Sequence, residues 1–315
     1  MSIAMDGGLL PVENRDAELV NKILSLKREK KAVILAHNYQ LGEVQDIADF
    51  VGDSLGLSQN AATTNARVIV FCGVHFMAET ASILCPDKIV LLPDMNAGCP
   101  MADMITAKRL RERKKELPNA TVVCYINSSA EVKAESDICC TSANAVKVVA
   151  GLNRDEIIFV PDQYLGHYVQ TKTGKKMHLW PGFCPTHIRI RPEHITQLKQ
   201  EYPQAKVVVH PECRTEVIAL ADEVLSTGGM CRYARQEEVT EVIVGTEIGI
   251  IHRLKKENPG KKFIPVSEQA VCPNMKLITQ EKVLWSLEAM APEVRVPEQT
   301  RLKAKAAVDR MLRVV

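Results

Sequence analysis

Three short apolar segments rich in β-branched residues recur along the chain, and each runs directly into a polar cluster. The segments are Val33–Ala36, Thr121–Cys124 and Lys206–Val209. The clusters after them are His37-Asn38-Tyr39, Tyr125-Ile126-Asn127 and His210-Pro211-Glu212, whose first residues are 88 and then 85 positions apart. Apolar runs of this length predict buried strands. The spacing therefore predicts an internal repeat of three units.

Further positions keep the same register. An aspartate and then a small hydroxyl residue follow the start of each cluster at fixed distances: Asp49, Asp137 and Asp222, then Ser54, Ser142 and Thr227. A second apolar segment comes next in each unit, followed by a third that leads into a Cys-Pro pair. The cysteines of those pairs are Cys99, Cys184 and Cys272, spaced by 85 and 88 residues. Amphipathic stretches that predict helices join one unit to the next.

Strands that alternate with helices favour parallel sheets covered by helices, with ligands at the carboxyl ends of the strands. We therefore predict an α/β protein of three compact domains, at residues 20–105, 106–191 and 192–315, the last with a C-terminal helical tail. A Gly-containing basic insertion at residues 166–177 predicts a hairpin or flap before the third strand of the second unit. The alternative to a true threefold repeat is the loose internal similarity that any α/β protein with several βα units shows.

Composition narrows the class of partner. The 315 residues carry a net charge of only +2, and basic clusters such as Arg111–Lys115 are interleaved with Glu, which argues against nucleic acid. The N-terminal residues lack the basic and apolar regions of a secretory signal, and no apolar run reaches the roughly 18–20 residues that span a bilayer. We expect a cytoplasmic enzyme without a membrane partner.

Ten cysteines are more than chance suggests for a chain of this size, and in a reducing compartment they favour buried thiols, catalytic groups or metal ligands over disulfides. Cys72 and Cys124 lie inside apolar strand-like runs and are expected in the core. The pair Cys139-Cys140 is also expected to be buried, and Cys85-Pro86 lies outside the repeat. The chain has no C-x₂-C pair, which disfavours ferredoxin-type clusters and zinc ribbons.

Cys99, Cys184 and Cys272 alone share the period of the polar clusters. If each ends a strand and the units pack about a threefold axis, the three thiolates meet at one point. Three cysteine ligands leave one iron of a cubane cluster free to bind substrate as a Lewis acid. A mononuclear zinc site with three cysteines, or three purely structural Cys-Pro turns, would give the same spacing.

The remaining repeated residues offer binding and acid–base groups. Ser54, Ser142 and Thr227 each precede a stretch that can be helical, so they are candidate helix N-caps. A ring of such helix starts would also bind the carboxylates or phosphate of a small anion. The strand-end clusters supply groups suited to proton transfer and hydrogen bonding, which are His37, Tyr39, Tyr125, Asn127, His210 and Glu212.

These motifs resemble quinolinate synthase over nearly the whole chain beyond the first twenty residues. They include AHNYQ at 36–40, CYINSSAEVKAESD at 124–137, WPGFCPTH at 180–187, STGGM at 226–230 and CPNMK at 272–276. The resemblance implies three αβα sandwich domains with parallel sheets about a pseudo-threefold axis. It also implies one [4Fe–4S] cluster per chain, held by Cys99, Cys184 and Cys272 with one open iron.

The implied reaction condenses iminosuccinate (iminoaspartate) with dihydroxyacetone phosphate and gives quinolinate, phosphate and water for NAD biosynthesis. L-aspartate oxidase would then supply the iminosuccinate. The resemblance assigns substrate binding to His37, Ser54, Tyr125, Ile126, Asn127, Ser142, His210, Pro211, Glu212 and Thr227. Tyr39, His210 and Glu212 are the candidate catalytic residues.

Two other functions fit the same residues. A cluster-dependent hydro-lyase acting on a hydroxy acid would use the same open iron but would need no second substrate. A non-catalytic iron–sulfur sensor would need the cysteines but not the polar clusters. Consumption of dihydroxyacetone phosphate distinguishes the first alternative, and turnover with iminosuccinate distinguishes the second.

Overall fold

The computed structural model describes residues 12–154 and 156–314, which form three sheets of four parallel strands flanked by helices. The predicted α/β class and its threefold repetition are confirmed. The expectation about a secretory signal concerns residues 1–16, of which residues 1–11 lie outside the described residues. Within the described ranges, no helix is both long and apolar enough to cross a membrane.

The first sheet is built on the first predicted strand. Its helices are α1 (Val12–Glu29), α2 (Gly42–Ile47), α3 (Ser54–Thr63) and α4 (His75–Leu84), and its strands are β1 (Ala32–His37), β2 (Phe50–Gly52), β3 (Val68–Cys72) and β4 (Ile89–Leu91). The strands lie in the order β2-β1-β3-β4. β3 is buried along its whole length and β1 beyond its first residue, because helices cover both faces of a parallel sheet.

The second unit repeats this order. Its helices are α5 (Ala107–Glu116), α6 (Ala130–Ala134), α7 (Ala145–Ala150) and α8 (Gln163–Thr173), and its strands are β5 (Thr121–Tyr125), β6 (Ile138–Cys140), β7 (Glu156–Val160) and β8 (Lys176–Leu179). The sheet order is β6-β5-β7-β8. Cys124, Cys139 and Cys140 are buried in its strands, as predicted.

The third unit follows the same plan and is extended by a tail. Its helices are α9 (Pro192–Glu201), α10 (Thr215–Ile218), α11 (Thr227–Ala234) and α12 (Ile250–Glu257), and its strands are β9 (Lys206–Val209), β10 (Glu223–Val224), β11 (Glu241–Gly245) and β12 (Lys262–Pro265). The sheet order is β10-β9-β11-β12. The predicted tail consists of α13 (Gln280–Ala289) and α14 (Glu298–Leu312).

The repeated aspartates have one structural role in all three units. A carboxylate oxygen accepts the backbone N–H of a residue in the central strand, in the pairs Asp49–Ile34, Asp137–Val122 and Asp222–Val207 at 2.7–2.8 Å. The backbone N–H of each aspartate donates to the carbonyl of the same partner. The aspartates therefore extend the pairing of the first two strands on the side away from the polar clusters.

The helix after each Cys-Pro pair packs onto the next unit around the ring. α5 contacts α6, α9 contacts α10, and α13 contacts α1 and β3 of the first unit. α14 packs against α6 and β6 of the second unit. The tail therefore packs against helices and strands of the first two units. The domain boundaries at 20–105, 106–191 and 192–315 stay a prediction, with one sheet inside each range.

Two local predictions were wrong. Residues 166–177 form the end of α8 and the start of β8 instead of a hairpin or flap. The helix persists because the Asp162 carboxylate caps it by accepting the Leu165 N–H at 2.7 Å, and it ends at Gly174, where φ is 67°.

The Cys-Pro cysteines also do not end strands. β4, β8 and β12 stop five to eight residues earlier, and a proline lies at or just after each strand end, at Pro93, Pro181 and Pro265. Proline has no N–H to continue a ladder. The three cysteines therefore lie in loops beyond the sheets.

Candidate active site

One cavity of about 70 Å³ lies where the carboxyl ends of the central strands of the three sheets converge. Its wall contains these residues predicted from the sequence: His37, Tyr39, Ser54, Cys99, Tyr125, Asn127, Ser142, Cys184, His210, Glu212, Thr227 and Cys272. Ile126 and Pro211 are buried beside the wall residues but do not line it. The binding and catalytic roles of all these residues stay predictions.

Strand ends explain why the polar groups meet. His37 and Tyr125 are the last residues of β1 and β5, and His210 directly follows β9. Tyr39, Asn127 and Glu212 lie two residues further along the same three loops. Because the three central strands point toward one cavity, each unit contributes a ring and a hydrogen-bonding side chain to it.

Each of the three wall cysteines begins a turn of the same form. The Cys-Pro pairs lead into the 3₁₀ helices Ala102–Met104, His187–Arg189 and Met275–Leu277. Burial raises the pKa of all three thiols, that of Cys99 to about 12. In each turn the backbone N–H groups two and three residues on point at the thiol and oppose this rise. Such donors stabilise a thiolate.

The three thiols line the same cavity and influence one another electrostatically. Cys272 raises the pKa of Cys99, and Cys99 raises that of Cys184, as neighbouring thiolates do. All ten cysteines lie in the described residues, and these three alone are partly exposed rather than buried. Three thiols that share one enclosed space need a cation to be thiolates together. The donor set therefore fits a metal or an iron–sulfur cluster.

His187 connects a cysteine to the acid–base residues. Its Nδ1 lies 2.8 Å from Glu212 Oε2 and 3.1 Å from Cys184 Sγ. Its Nε2 lies 2.8 Å from the Thr246 hydroxyl, which is 2.5 Å from the Tyr39 hydroxyl. The ligand atoms of Cys184, His187 and Glu212 fall within 4.8 Å of one another, so these three residues could also hold a metal ion.

Glu212 is the acceptor at the centre of the wall. The Tyr125 hydroxyl donates to Oε1 at 2.5 Å, and the Asn127 amide donates to the same oxygen at 3.4 Å. Burial opposes ionisation of Glu212, but His187 and Tyr125 hold the pKa of its carboxyl below the ordinary value. Burial raises the pKa of Tyr39 well above its ordinary value. Near neutral pH, Glu212 is therefore a carboxylate and Tyr39 keeps its proton.

The histidines present N–H groups to the cavity. Nδ1 of His37 accepts the Tyr39 backbone N–H at 3.2 Å, and Nδ1 of His210 accepts that of Glu212 at 3.3 Å. Burial lowers the pKa of both rings to about 3, so each is neutral and carries its proton on Nε2. Nε2 of His210 lies 3.1 Å from the Ser142 hydroxyl. Since His210 donates to it, Ser142 is free to donate its own proton into the cavity.

The three repeated hydroxyl residues are not helix caps. The caps of α3 and α11 are Asp53 and Ser226, one residue earlier, which accept the backbone N–H of Gly56 and Gly229. Ser54 and Thr227 are the first residues of those helices. Ser142 precedes α7 by three residues and has no capping bond. The cap interpretation is wrong, and all three hydroxyls line the cavity.

Comparison with known proteins decides the family. The family model described as Quinolinate synthetase A protein matches residues 21–313. A quinolinate synthase of Dehalococcoides mccartyi (strain CBDB1) is 67% identical over 299 residues, covering 95% of this chain and 99% of that protein. The chain belongs to the quinolinate synthetase A family. Its members are enzymes of the transferase type, and the family is one of iron–sulfur enzymes.

More distant relatives agree. A quinolinate synthase of Geotalea uraniireducens is 58% identical over 297 residues, covering 94% of this chain and 98% of that protein. One of Methanosarcina barkeri is 56% identical over 300 residues, covering 95% and 99%. The resemblance that the sequence motifs indicated is confirmed.

Several wall residues of this quinolinate synthetase A chain were not predicted from its sequence. His187 could have been found, because it follows Cys184 by three residues in WPGFCPTH. Glu247 follows the end of β11 by two residues, the same position that Tyr39 and Asn127 occupy after β1 and β5. Its carboxylate accepts from Lys276 Nζ at 2.9 Å and from the Cys272 backbone N–H at 3.1 Å.

The apolar part of the wall gave no signal. It consists of Phe76, Met77, Met101 and Met275. Apolar residues in helices and turns have the same pattern whether they fill a core or line a cavity. Only the packed chain distinguishes the two.

Proposed function

We propose that the chain condenses iminosuccinate with dihydroxyacetone phosphate to give quinolinate, phosphate and water in NAD biosynthesis. The observation that carries this proposal is a single cavity lined by three repeat-related thiols and by the strand-end polar groups of all three units. Membership of the quinolinate synthetase A family supports the same reaction. The substrates and their order of reaction are part of the proposal.

The proposed cofactor is one [4Fe–4S] cluster per chain held by Cys99, Cys184 and Cys272. The repeated turns support it, since each aims two backbone N–H groups at a thiol. When bound, the cluster would supply an open iron that acts as a Lewis acid. His187 contacts both Cys184 and Glu212, so it would link the cluster site to the acid–base residues.

The dicarboxylate would bind to hydrogen-bond donors. His37 Nε2 and the Ser142 hydroxyl have donors free to point into the cavity, and neutral donors bind an anion without a counter-charge of their own. Ser54, Tyr125, Asn127 and Thr227 line the same space. Ile126 and Pro211 would contribute through the loops they belong to.

Proton transfer is proposed for Tyr39, His210 and Glu212. Glu212 is placed to accept a proton as a carboxylate, and Tyr39 to donate one, because their pKa values are moved in opposite directions. His210 contacts both Ser142 and the Glu212 backbone, which fixes its ring for a donor role. Tautomerisation of a ketone and loss of water both need such a pair.

The proposal also includes one partner enzyme and a location in the cell. L-aspartate oxidase is proposed as the supplier of iminosuccinate, and the cytoplasm as the place of the reaction.

The test of the function is anaerobic purification, iron and sulfide analysis, and an assay of quinolinate. We expect iminosuccinate and dihydroxyacetone phosphate to disappear in equal amounts as quinolinate forms. Turnover without dihydroxyacetone phosphate would favour a hydro-lyase, and no turnover with a full cluster would favour a sensor.

A further inference from the structure

A chain of hydrogen bonds runs from the surface of the third unit to the cavity through a buried residue of the first. Arg253 Nη1, on α12, donates to Asn38 Oδ1 at 2.8 Å and to the Val51 carbonyl at 2.6 Å. Asn38 Nδ2 then donates to the Thr227 hydroxyl at 2.8 Å. Arg253 Nε is itself held by Glu257 at 2.7 Å.

The direction of each bond in this chain is fixed by chemistry. A guanidinium has donors only, so the atom of Asn38 that faces Arg253 must be its oxygen. The other end of the amide is then the NH₂ group, which can only donate, and Thr227 Oγ1 must accept. Arg253 therefore determines which way the amide of Asn38 points.

Asn38 has no freedom to adopt another orientation. Its side chain is fully buried, its backbone N–H donates to the Gly52 carbonyl at 3.0 Å, and its carbonyl accepts from Gln45 Nε2 at 3.3 Å. Every polar group of Asn38 thus has a partner. The equivalent positions in the other two units are Ile126 and Pro211, so this arrangement occurs in one unit only.

The orientation of Asn38 determines what the Thr227 hydroxyl can bind. Its Oγ1 accepts from Asn38, and within residues 12–154 and 156–314 its hydroxyl has no other hydrogen-bond partner. Thr227 is almost fully buried and lines the cavity. Its proton is therefore available only to a group inside the cavity, and that group must be an acceptor.

We infer that Asn38 and Arg253 are positioning residues that make Thr227 a hydrogen-bond donor to a carboxylate of the substrate. The inference rests on the proposed function, because it assigns the acceptor to the dicarboxylate of that reaction. Neither Asn38 nor Arg253 lines the cavity. Both act through Thr227, across the junction of the first and third units.

The test is Asn38→Asp. An aspartate keeps the contact with Arg253 but turns a second acceptor oxygen toward Thr227. The Thr227 hydroxyl would then donate its hydrogen bond to the aspartate instead of to the substrate. A hydrogen bond to a charged group is then lost, and we expect KM for iminosuccinate to rise about 10–100-fold with little change in kcat. Asn258→Asp is the control, since Asn258 is also buried and donates its amide to a backbone carbonyl, at 3.0 Å, outside the cavity.

A double variant separates hydrogen-bond direction from added charge. In a Thr227→Val background the hydroxyl is absent, so Asn38→Asp should change KM less than about threefold, because residues that act as a unit are not additive. A full effect of Asn38→Asp in that background would show that charge, and not the hydroxyl, is responsible. KM of Asn38→Asp within twofold of the unmodified enzyme would also overturn the inference.

A second pair of variants tests the other link and covers the case in which Asn38→Asp does not fold. Arg253 and Arg235 both bind Glu257, at 2.7 and 2.8 Å, but only Arg253 reaches Asn38. Arg253→Met should raise KM for iminosuccinate several-fold, and Arg235→Met should not. Equal KM values for the two variants would contradict the inference. Absence of quinolinate formation by the unmodified enzyme would instead contradict the proposed function.

Discussion

At the residue scale, the cavity separates proton acceptors from proton donors. Glu212 is an ionised carboxylate held by Tyr125 and His187, whereas Tyr39 and the two neutral histidines keep their protons. The difference arises from burial, which disfavours the charged form of every group, and from His187 and the Tyr125 hydroxyl, which lower the pKa of the Glu212 carboxyl. A general base and a general acid can therefore coexist in one cavity at neutral pH.

Glu212→Gln and Tyr39→Phe test these roles, because each change nearly preserves volume and removes an ionisable group. If the two residues transfer protons, each variant should lose about 10²–10⁴-fold in kcat while keeping its full iron content. Activity is measured by quinolinate formation, and iron by chemical analysis after anaerobic reconstitution. Tyr168→Phe is the control, as Tyr168 lies on α8 outside the cavity. Near-normal kcat in both variants would refute the assigned roles.

The ligand cysteines can be tested one by one. Cys99→Ala, Cys184→Ala and Cys272→Ala should each lose most bound iron, because only these thiols line the cavity and receive two backbone N–H groups. Cys213→Ala is the matched control: Cys213 is buried next to Glu212, with its Sγ 3.5 Å from the Gly245 carbonyl. The iron content of Cys213→Ala should stay normal. Loss of iron in Cys85→Ala or Cys139→Ala, with iron retained in Cys184→Ala, would show that the wrong thiols were chosen.

At the scale of the element, capping and ligand binding are assigned to adjacent residues. Asp53 and Ser226 end the preceding segments and cap α3 and α11, which leaves the next side chains, Ser54 and Thr227, free to face the cavity. The helix needs only one acceptor at its N-cap. The hydroxyls of Ser54 and Thr227 are therefore available for substrate.

Ser54→Ala should separate the two functions. Since Ser54 makes no capping bond, the variant should melt like the unmodified protein but show a higher KM for iminosuccinate. Thr106 is a true N-cap, whose hydroxyl accepts the Arg109 N–H at 3.3 Å. Thr106→Ala should lose about 0.5–2 kcal/mol of stability and keep its KM. Thermal melting and steady-state kinetics measure both, and a lower melting temperature with normal KM for Ser54→Ala would restore the cap interpretation.

On the scale of the whole molecule, the ring is closed by elements distant in sequence. α13 covers α1 and β3, and α14 covers α6 and β6, so the end of the chain holds the first two units together. Ala307, Val308 and Met311 of α14 are fully buried in the largest apolar cluster. The tail thus packs against the first two units without contributing a residue to the cavity wall.

Neighbouring alanines on α14 allow a matched test. Ala307 is fully buried and Ala306 is exposed. Ala307→Asp would bury an unpaired carboxylate, and we expect a loss of several kcal/mol in the free energy of unfolding, or no folded protein. Ala306→Asp should change stability by less than about 0.5 kcal/mol. Denaturant unfolding measures both, and similar midpoints would show that α14 is not needed to close the ring.

The repeat, three of the four strands of each sheet and most of the cavity wall follow from the sequence alone, whereas the short edge strands β2, β6 and β10 were not predicted. Apolar β-branched runs are buried wherever the chain folds, and strand-end polar residues gather because parallel strands point their carboxyl ends the same way. The period of 85 and 88 residues then placed Cys99, Cys184 and Cys272 in one set. These features are periodic, and periodicity is visible in one chain.

The remaining features depend on contacts between units, which a single sequence does not reveal. The direction of the Thr227 hydroxyl follows from Asn38, 189 residues away, and Asn38 is oriented by Arg253, 215 residues away. The same is true of the contact between His187 and Glu212, and of the wall formed by Met77, Met101 and Met275. A pattern along one strand or helix records which side is buried, but the partner that buries it is chosen by the packing of separate units.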